Sequence, residues 1–172
     1  MAPRIDIVGL GPGDPGLVTA ATRDLLASSR HVLLRTSRHP SASLASSAQS
    51  FDDVYESAGT FAEVYETIAA RVVDAAREHG SVTYAVPGSP LVLERTVALL
   101  RGRDDVEVVV HPAVSFLDEA WRVLGIDPVE SGVRLVDGHD FAVAAAGHTG
   151  PMLVAHTHAN WVLSDIKLVL ED

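Results

Sequence analysis

The sequence predicts an α/β fold with a mostly parallel sheet, and three observations support this prediction. Short apolar runs alternate along the chain with longer segments in which apolar residues recur at helical spacing. Two of the apolar runs lead into loops rich in glycine and proline, at residues 9–16 and 86–90. The valine-rich run at 106–110 is typical of a central parallel strand. Because such folds bind small molecules at the carboxyl ends of their strands, the two loops are candidate binding elements.

The first part of the chain contains a strand, a helix and a second strand. Residues 5–9 form the first apolar run, and Thr19 is expected to cap a helix over residues 20–29, which is rich in alanine and leucine. The next strand is predicted at residues 31–35. Residues 41–50 are small and polar, which indicates a surface loop or a loose helix.

The middle of the chain contains the longest predicted helix. Residues 51–57 are predicted as a short strand or turn. Thr60 is expected to cap a helix over Phe61–His79, where apolar residues recur every three or four positions, and Gly80 is expected to end it. The apolar segment Ser81–Val86 is predicted as a buried strand that leads into the second glycine- and proline-rich loop.

Helix and strand alternate again after that loop. A helix is predicted over residues 91–100, with Ser89 as a candidate N-cap, followed by a strand at 106–110 and a helix at Phe116–Leu124. The turn that follows indicates a boundary between two lobes, residues 1–126 and 127–172. The second lobe is predicted to continue through the segments 133–136, 141–146 and 152–157 and to end in a helix over 159–170.

Composition limits the classes of function that fit the chain. Its 172 residues are 47% apolar, so it can bury a core, and no apolar run approaches the length of about 20 residues that spans a membrane. No signal peptide is visible and there is no cysteine, so cytoplasm is the expected location. A formal charge of −10 disfavours nucleic acid and anionic membranes as general partners.

The first loop fits a cleft wall better than a phosphate cradle. The pattern G-x-G-x-x-G can be placed on residues 11–16, but Asp14 is negative, Pro15 lacks an N–H donor, and no Walker lysine follows. A plain structural turn is the alternative interpretation. The second glycine- and proline-rich loop, at the end of another apolar strand, favours a binding role.

Several motifs in order along the chain resemble one family. Besides the loops at 9–15 and 86–90, they occupy residues 33–40, 84–96, 112–117, 133–138 and 161–167. Together they resemble the tetrapyrrole (corrin/porphyrin) methylase superfamily, whose members are S-adenosylmethionine-dependent enzymes of the class III methyltransferase fold. The resemblance is closest to the amino-terminal methylase-like domain of MazG-type nucleotide pyrophosphohydrolase proteins, the YabN-like group.

This resemblance implies an architecture and partners. Two α/β lobes are expected to face each other with the cofactor, S-adenosylmethionine or S-adenosylhomocysteine, in the cleft between them. The second lobe is expected to be truncated, because the family continues for several strands beyond a helix like that at 159–170. A homodimer is expected, with a downstream pyrophosphohydrolase domain as a further partner and an unidentified small molecule as methyl acceptor.

The resemblance also implies cofactor-binding residues. It places the first loop's contacts at Gly11 and Pro12. The expected contacts in the later segments are Pro87, Gly88, Ser89, Val92, Ser115, Phe116, His156 and Thr157. These residues offer backbone amides, small side chains and apolar walls, which suit an adenine ring and a methionine tail.

Ser89 departs from the family pattern and keeps a second hypothesis open. Most tetrapyrrole methylases carry an aspartate at this position, and serine cannot serve as an anionic acceptor at neutral pH. The alternative to a methyltransferase is therefore a catalytically degenerate domain that regulates or scaffolds an attached pyrophosphohydrolase. Methyl transfer requires mainly alignment of the reactants, so the absence of an evident catalytic triad is compatible with either function.

The basic loop at 35–40 is a candidate for binding an acidic acceptor such as a tetrapyrrole. Arg35, Arg38 and His39 supply its charge, although an ordinary solvated loop remains an equal alternative. No metal site is predicted, because the pair His156 and His158 lacks a third ligand nearby in the sequence.

A third hypothesis is that this chain itself hydrolyses nucleoside triphosphates. Glu63 and Glu66 have the spacing of a helical magnesium-binding pair, but a second pair of carboxylates is absent from the sequence. A solvated helix face is therefore the favoured interpretation of these two residues.

Overall fold

The computed structural model describes residues 2–171, which form an α/β protein. The chain divides into two compact units between Ala120 and Trp121, a few residues before the boundary that the sequence indicates. The first unit contains a five-stranded sheet in the order β3-β2-β4-β1-β5, and all of its paired strands are parallel. Its strands are β1 (Arg4–Gly9), β2 (Val32–Leu34), β3 (Gln49–Ser50), β4 (Ser81–Val86) and β5 (Glu107–Val110). The α/β class and the mostly parallel sheet are thus confirmed.

Helices connect these strands. They are α1 (Ala20–Ser28), α2 (Asp52–Ser57), α3 (Phe61–His79), α4 (Arg95–Arg101) and α5 (Phe116–Leu124), which contains the division between the units. The small polar segment after β2 forms a 3₁₀ helix, Pro40–Ala45. Among residues 2–171, no helix combines the length and the apolar character that crossing a bilayer requires.

The first sheet has an apolar core on each face. Strand β1 is central, and the side-chain alternation of a strand sends Ile5 and Ile7 into the core with α3, while Val8 packs in the second core with Leu26 of α1. Tyr84, in the neighbouring strand β4, is fully buried on the same face as Ile7. Burial of the strands on both faces explains why their sequences are continuously apolar.

The predicted ends of α3 are confirmed by its caps. The Thr60 hydroxyl accepts a hydrogen bond from the Glu63 backbone, and the Glu63 carboxylate accepts one in return from Thr60, which forms a capping box. At the other end Gly80 has a φ of 78°, a left-handed conformation that glycine adopts without steric cost.

Two sequence predictions of secondary structure are wrong. Residues 51–57, predicted as a strand or turn, form the helix α2, whose first turn carries Asp52 and Asp53, where negative charge is favourable. The helix predicted over 91–100 begins only at Arg95, because Leu93 has a left-handed φ of 54° and interrupts the helical path. Ser89 is therefore not the cap of α4; Glu94 occupies that position and makes no side-chain capping bond.

The second unit contains a two-stranded parallel sheet. Its strands are β6 (Arg134–Asp137) and β7 (Met152–Ala155), connected through α6 (Phe141–Ala145) and followed by α7 (Asn160–Glu171). The segment at 141–146 is thus helical for most of its length. Phe141 and Val162 are buried, and Val136 of β6 is buried with them in this unit.

The glycine at the end of β1 generates the first testable prediction. A Cβ atom on Gly9 would lie 2.2 Å from the Gly88 carbonyl oxygen and 2.5 Å from the Ala113 Cβ. Gly9→Ala should therefore force the backbone apart and lower the free energy of unfolding in urea by about 1–3 kcal/mol. Gly102→Ala is the matched control, because its nearest contact would be an ordinary 3.6 Å. Equal stability of the two variants would contradict this account of the packing.

Candidate functional site

Three loops meet at the carboxyl edge of the five-stranded sheet. They follow β1, β4 and β5, which run parallel, so the loops carrying Gly11, Gly88 and Ser115 leave the same edge, as the sequence predicts. The first two loops are joined by an isolated antiparallel bridge. The Gly88 N–H donates to the Gly11 carbonyl (2.8 Å), and the Gly11 N–H donates to the Gly88 carbonyl (3.3 Å).

Both bridging glycines have left-handed backbones. Gly11 has a φ of 71° and Gly88 a φ of 66°. A Cβ atom on Gly11 would lie 3.2 Å from the Leu17 carbonyl oxygen, whereas one on Gly88 would meet no protein atom within 4 Å. The backbone of Gly88 therefore faces open space, as a residue that contacts a ligand requires.

The rest of the second loop is partly exposed. Pro87, Ser89 and Val92 are each half-buried, and the Ser89 carbonyl accepts a hydrogen bond from the Val92 N–H (3.1 Å). This turn leaves the Ser89 hydroxyl with only a long contact to the Leu91 N–H, at 3.5 Å. Ser89 thus lies in the loop itself, and Pro12 lies on the facing loop beside Gly11.

The third loop ends in a helix cap. Ser115 is buried, its hydroxyl accepts from the Leu117 N–H (3.2 Å), and the Asp118 carboxylate accepts from the Ser115 N–H (2.7 Å). Reciprocal bonds of this kind fix the start of α5. Phe116 is exposed and follows directly, so its ring is available at the edge of the loop.

The basic loop is bound to the protein by its own charges. Arg35 lies 2.8 Å from Glu94 and donates to the Tyr55 hydroxyl (2.7 Å). Arg38 pairs with Glu56 at 2.7 Å, and both of those side chains are exposed. His39 accepts from the Ser41 N–H through Nδ1 (3.2 Å), and the Ser41 hydroxyl donates to the Gly13 carbonyl (3.2 Å), so these residues support the first loop. Burial lowers the pKa of His39, which favours its neutral form.

Among the described residues of the first unit, the ion pair between Arg35 and Glu94 is the most buried pair of opposite charges. The Glu94 side chain is 2% exposed and that of Arg35 is 22% exposed. Burial raises the pKa of Glu94 despite the opposing attraction of Arg35. Burial acts against the charge of Arg35, but Glu94 and Tyr55 outweigh it and raise the arginine pKa. The rings of Tyr55 and Tyr65 each lie 5.9 Å from the guanidinium and complete its surroundings.

Sequence reasoning missed a histidine at the same edge of the sheet. His111 follows β5, and its Nε2 lies 2.9 Å from the carboxylate of Asp6, which Arg4 also contacts through two nitrogens. Burial would raise the pKa of Asp6, but the hydrogen bonds from Arg4 and His111 lower it. The available signal was Asp6 itself, a carboxylate inside an otherwise apolar strand.

The second unit holds the remaining predicted residues. His156 and Thr157 follow β7 and are exposed, and His156 has a left-handed φ of 57°. The sequence indicates no third ligand beside the pair His156 and His158, and in the structure a group of possible ligands forms around His156 without including His158. Asp137 and His139, which follow β6, place ligand atoms within 4.8 Å of one another and of a His156 nitrogen.

Of the two carboxylates Glu63 and Glu66 on α3, Glu63 has a structural role. Glu63 Oε2 accepts hydrogen bonds from the backbones of Gly59 (2.9 Å) and Thr60 (3.1 Å). The bond from Thr60 belongs to the capping box and the bond from Gly59 extends it, which supports the interpretation of Glu63 as part of a solvated helix start.

Comparisons with known proteins agree on one family. The family model described as tetrapyrrole (corrin/porphyrin) methylases matches residues 4–167. The chain is 36% identical over 177 residues to an uncharacterized protein of Bacillus subtilis (strain 168), YabN. The alignment covers 99% of this chain but only 36% of the length of that relative.

Solved structures share the fold. A uroporphyrin-III C-methyltransferase from Thermus thermophilus is 26% identical with a TM-score of 0.61, over 81% of this chain and 62% of that one. A structure of the enzyme from the same organism, complexed with S-adenosylhomocysteine, has a TM-score of 0.68 at 23% identity, over 98% of this chain and 78% of that one.

The buried ion pair predicts an asymmetric response to mutation. Glu94→Ala leaves the Arg35 guanidinium buried without its carboxylate, so the free energy of unfolding should fall by about 3–5 kcal/mol. Glu56→Ala removes the exposed partner of Arg38 and should cost only about 0–1 kcal/mol. Urea denaturation at neutral pH measures both. Losses of similar size would show that the buried pair does not stabilise the loop.

Asp52 predicts a pH dependence. Its carboxylate accepts from Thr36 Oγ1 (2.6 Å), from the Ser37 N–H (2.9 Å) and Oγ (2.6 Å), and from Ser50 Oγ (2.8 Å). Burial would raise the pKa of Asp52, but these hydrogen bonds lower it well below its usual range. A lowered pKa stabilises the fold above the unfolded-state value, about 3.9, and this contribution is lost as the pH falls below it.

Asp52→Asn should therefore cost about 1.5–3 kcal/mol at pH 7. The difference in unfolding free energy between wild type and variant should shrink as the pH is lowered from 5 towards 2. Urea titrations across this range measure it, with Asp53→Asn, whose carboxylate pairs with Arg71 in an exposed position, as the control. A difference that stays constant with pH would contradict the assignment.

Proposed function

Because the chain belongs to the tetrapyrrole (corrin/porphyrin) methylase family, we propose that it binds S-adenosylmethionine and its demethylated product S-adenosylhomocysteine. The proposed contacts lie on the loops at the carboxyl edge of the five-stranded sheet. The bridge between Gly11 and Gly88 is the observation that carries this proposal, because it fixes two loops while leaving one side of Gly88 open. Carboxyl edges of parallel sheets are where such folds bind small molecules.

The loops offer the kind of surface that an adenosyl group needs. Gly11, Pro12, Pro87 and Gly88 present backbone and small rings rather than charge, and Phe116 provides an exposed aromatic ring. Ser89 and Val92 complete the second loop, and Ser115 begins the third. His156 and Thr157, in the second unit, belong to the proposal through the family resemblance alone.

The proposed activity is methyl transfer to a small molecule. The bound cofactor supplies an activated methyl group on its sulfonium. The contribution expected of this chain is to position the acceptor in line with that group and to exclude water, so a dedicated acid or base is not required. Tetrapyrroles are among the candidate acceptors, a suggestion supported by the fold that the chain shares with uroporphyrin-III C-methyltransferases.

The residues of the basic loop have different proposed roles in acceptor recognition. Arg35 is engaged with Glu94 and Tyr55, so its proposed role is to hold the loop in place. Arg38 is 71% exposed and can exchange Glu56 for an acceptor carboxylate at little cost. His39 binds the Ser41 N–H through Nδ1, and the Ser41 hydroxyl in turn donates to the Gly13 carbonyl of the first loop.

A catalytically degenerate scaffold is the second candidate, and Ser89 favours it. Serine replaces the acidic residue that most members of the family carry in this loop. The partner proposed in that case, from the family resemblance alone, is a MazG-type nucleoside triphosphate pyrophosphohydrolase. The homodimer and the cytoplasmic location also stay predictions, and light scattering at high protein concentration tests the dimer.

Gly88 tests the cofactor proposal most directly. Gly88→Val places a side chain in the open space beside the loop bridge and strains a left-handed backbone. Binding of S-adenosylhomocysteine, measured by calorimetry, should weaken at least tenfold, about 1.4 kcal/mol. Ser89→Asp, which introduces the usual acidic residue, should retain binding.

Gly80→Val is the matched control. Gly80 has a φ of 78° and open space around it, but it lies at the amino end of β4, away from the loops. Both valine variants should lose stability, yet only Gly88→Val should lose affinity. An equal loss of affinity in the two variants would show that strain, not ligand contact, is responsible. Wild-type protein that binds no ligand at millimolar concentration, in this chain and in a longer one, would leave the scaffold function in its place.

A further inference from the structure

Four side chains capable of binding a metal gather at one end of the two-stranded sheet. Asp137 ends β6, and the parallel register pairs it with Ala155, the last residue of β7. The segments that leave these two strands therefore start side by side. His139 lies on the first segment, and His156 and His158 lie on the second.

Glycine allows the two segments to approach. A Cβ atom on Gly138 would lie 2.9 Å from the Ala155 carbonyl oxygen and 2.9 Å from a methyl group of Val162, so no other residue fits without displacement. His156 takes up a left-handed φ of 57°, which turns the chain directly after β7. In this arrangement the ring centroids of His139 and His156 lie 5.5 Å apart, and the centroid of the His158 ring lies 6.2 Å from each of them.

The Asp137 carboxylate lies between two imidazoles. Its Oδ1 is 2.9 Å from His139 Nδ1, and its Oδ2 is 3.0 Å from His156 Nδ1. The His139 backbone N–H also donates to Asp137 Oδ1 (3.1 Å). An ionised carboxylate only accepts hydrogen bonds, so each facing nitrogen carries a hydrogen that a cation can replace.

We propose that Asp137, His139 and His156 form a binding site for a divalent first-row transition-metal ion, with the His158 ring close beside them. Among residues 2–171 they are the one group of three such side chains whose ligand atoms all lie within 4.8 Å of one another. The inference rests on these residues alone and does not depend on the proposed methyltransferase function.

The donor set selects the class of metal. Two imidazoles with one carboxylate suit zinc, copper and nickel, whereas magnesium and calcium prefer oxygen ligands. Zinc bonds of about 2.0–2.2 Å would place tetrahedral ligand atoms about 3.3 Å apart, compared with 2.9 and 3.0 Å between the Asp137 oxygens and the two imidazole nitrogens. Trp161, whose ring centroid lies 5.4 Å from that of His139, restricts the motion of one ligand.

The bound ion would connect the ends of β6 and β7. The side chains of His139 and His156 are 40% and 38% exposed, so the site is open to metal from solvent. Since an ion that binds only the folded state stabilises it, metal should raise the melting temperature of the protein.

The test uses the whole chain and zinc as the probe. Calorimetry with zinc chloride in a non-chelating buffer should show one ion bound per chain. Binding should weaken at least about tenfold in each of the variants His139→Ala, His156→Ala and Asp137→Asn. The control is His79→Ala, because His79 stacks on His31 at 3.8 Å and belongs to a histidine pair outside the cluster.

A second measurement does not depend on how the variants fold. Cobalt added to the wild-type protein should give the visible absorption of a site with nitrogen ligands, and zinc should displace it. Circular dichroism confirms that each variant is folded before its affinity is compared. The proposal is overturned if wild type binds no zinc, if binding follows His79 instead of His139 and His156, or if several weak sites persist unchanged in all three variants.

Discussion

The close approach of three backbone segments at the end of β1 is the constraint on which the candidate cofactor site depends. Gly9 touches both neighbouring loops, since a Cβ there would overlap the Gly88 carbonyl and the Ala113 side chain. Only a residue without a Cβ lets β1 continue between its neighbours to the point where Gly11 and Gly88 exchange hydrogen bonds. The contact between these loops is thus made mainly by backbone atoms rather than by side chains.

A site made largely of backbone tolerates changes in its side chains. The bridge between Gly11 and Gly88 is made by backbone atoms and does not involve the hydroxyl of Ser89, so the side chain at position 89 does not form the bridge. Geometry and chemistry are separable here. The backbone geometry explains why the fold can be recognised at low sequence identity. The chemistry of the site is what a ligand-binding measurement decides.

The sequence predicted the features that follow from periodicity and from glycine, and it missed those that depend on contacts between distant residues. Strand β1, helix α3 with its Thr60 cap and the shared edge of the three loops were all predictable, because each follows from a local pattern or from parallel strands. The cluster around Asp137 was not, because His139 and His156 are separated by 16 intervening residues and become neighbours only through the pairing of β6 with β7.

Two further misses share one physical cause, the conformation of residues 91–94. The sequence predicts a regular helix from residue 91. Instead, Leu93 has a left-handed backbone that interrupts the helical path, and Glu94, the next residue, is buried. There it pairs with Arg35, which the sequence indicates as a candidate for binding an acidic acceptor or as one charge of a solvated loop. The charge of Arg35 therefore connects the carboxyl end of β2 to the end of the second glycine- and proline-rich loop. That loop is then held at one end by the bridge to Gly11 and at the other by a buried ion pair, which restricts its motion before any ligand arrives and lowers the entropy that binding must overcome.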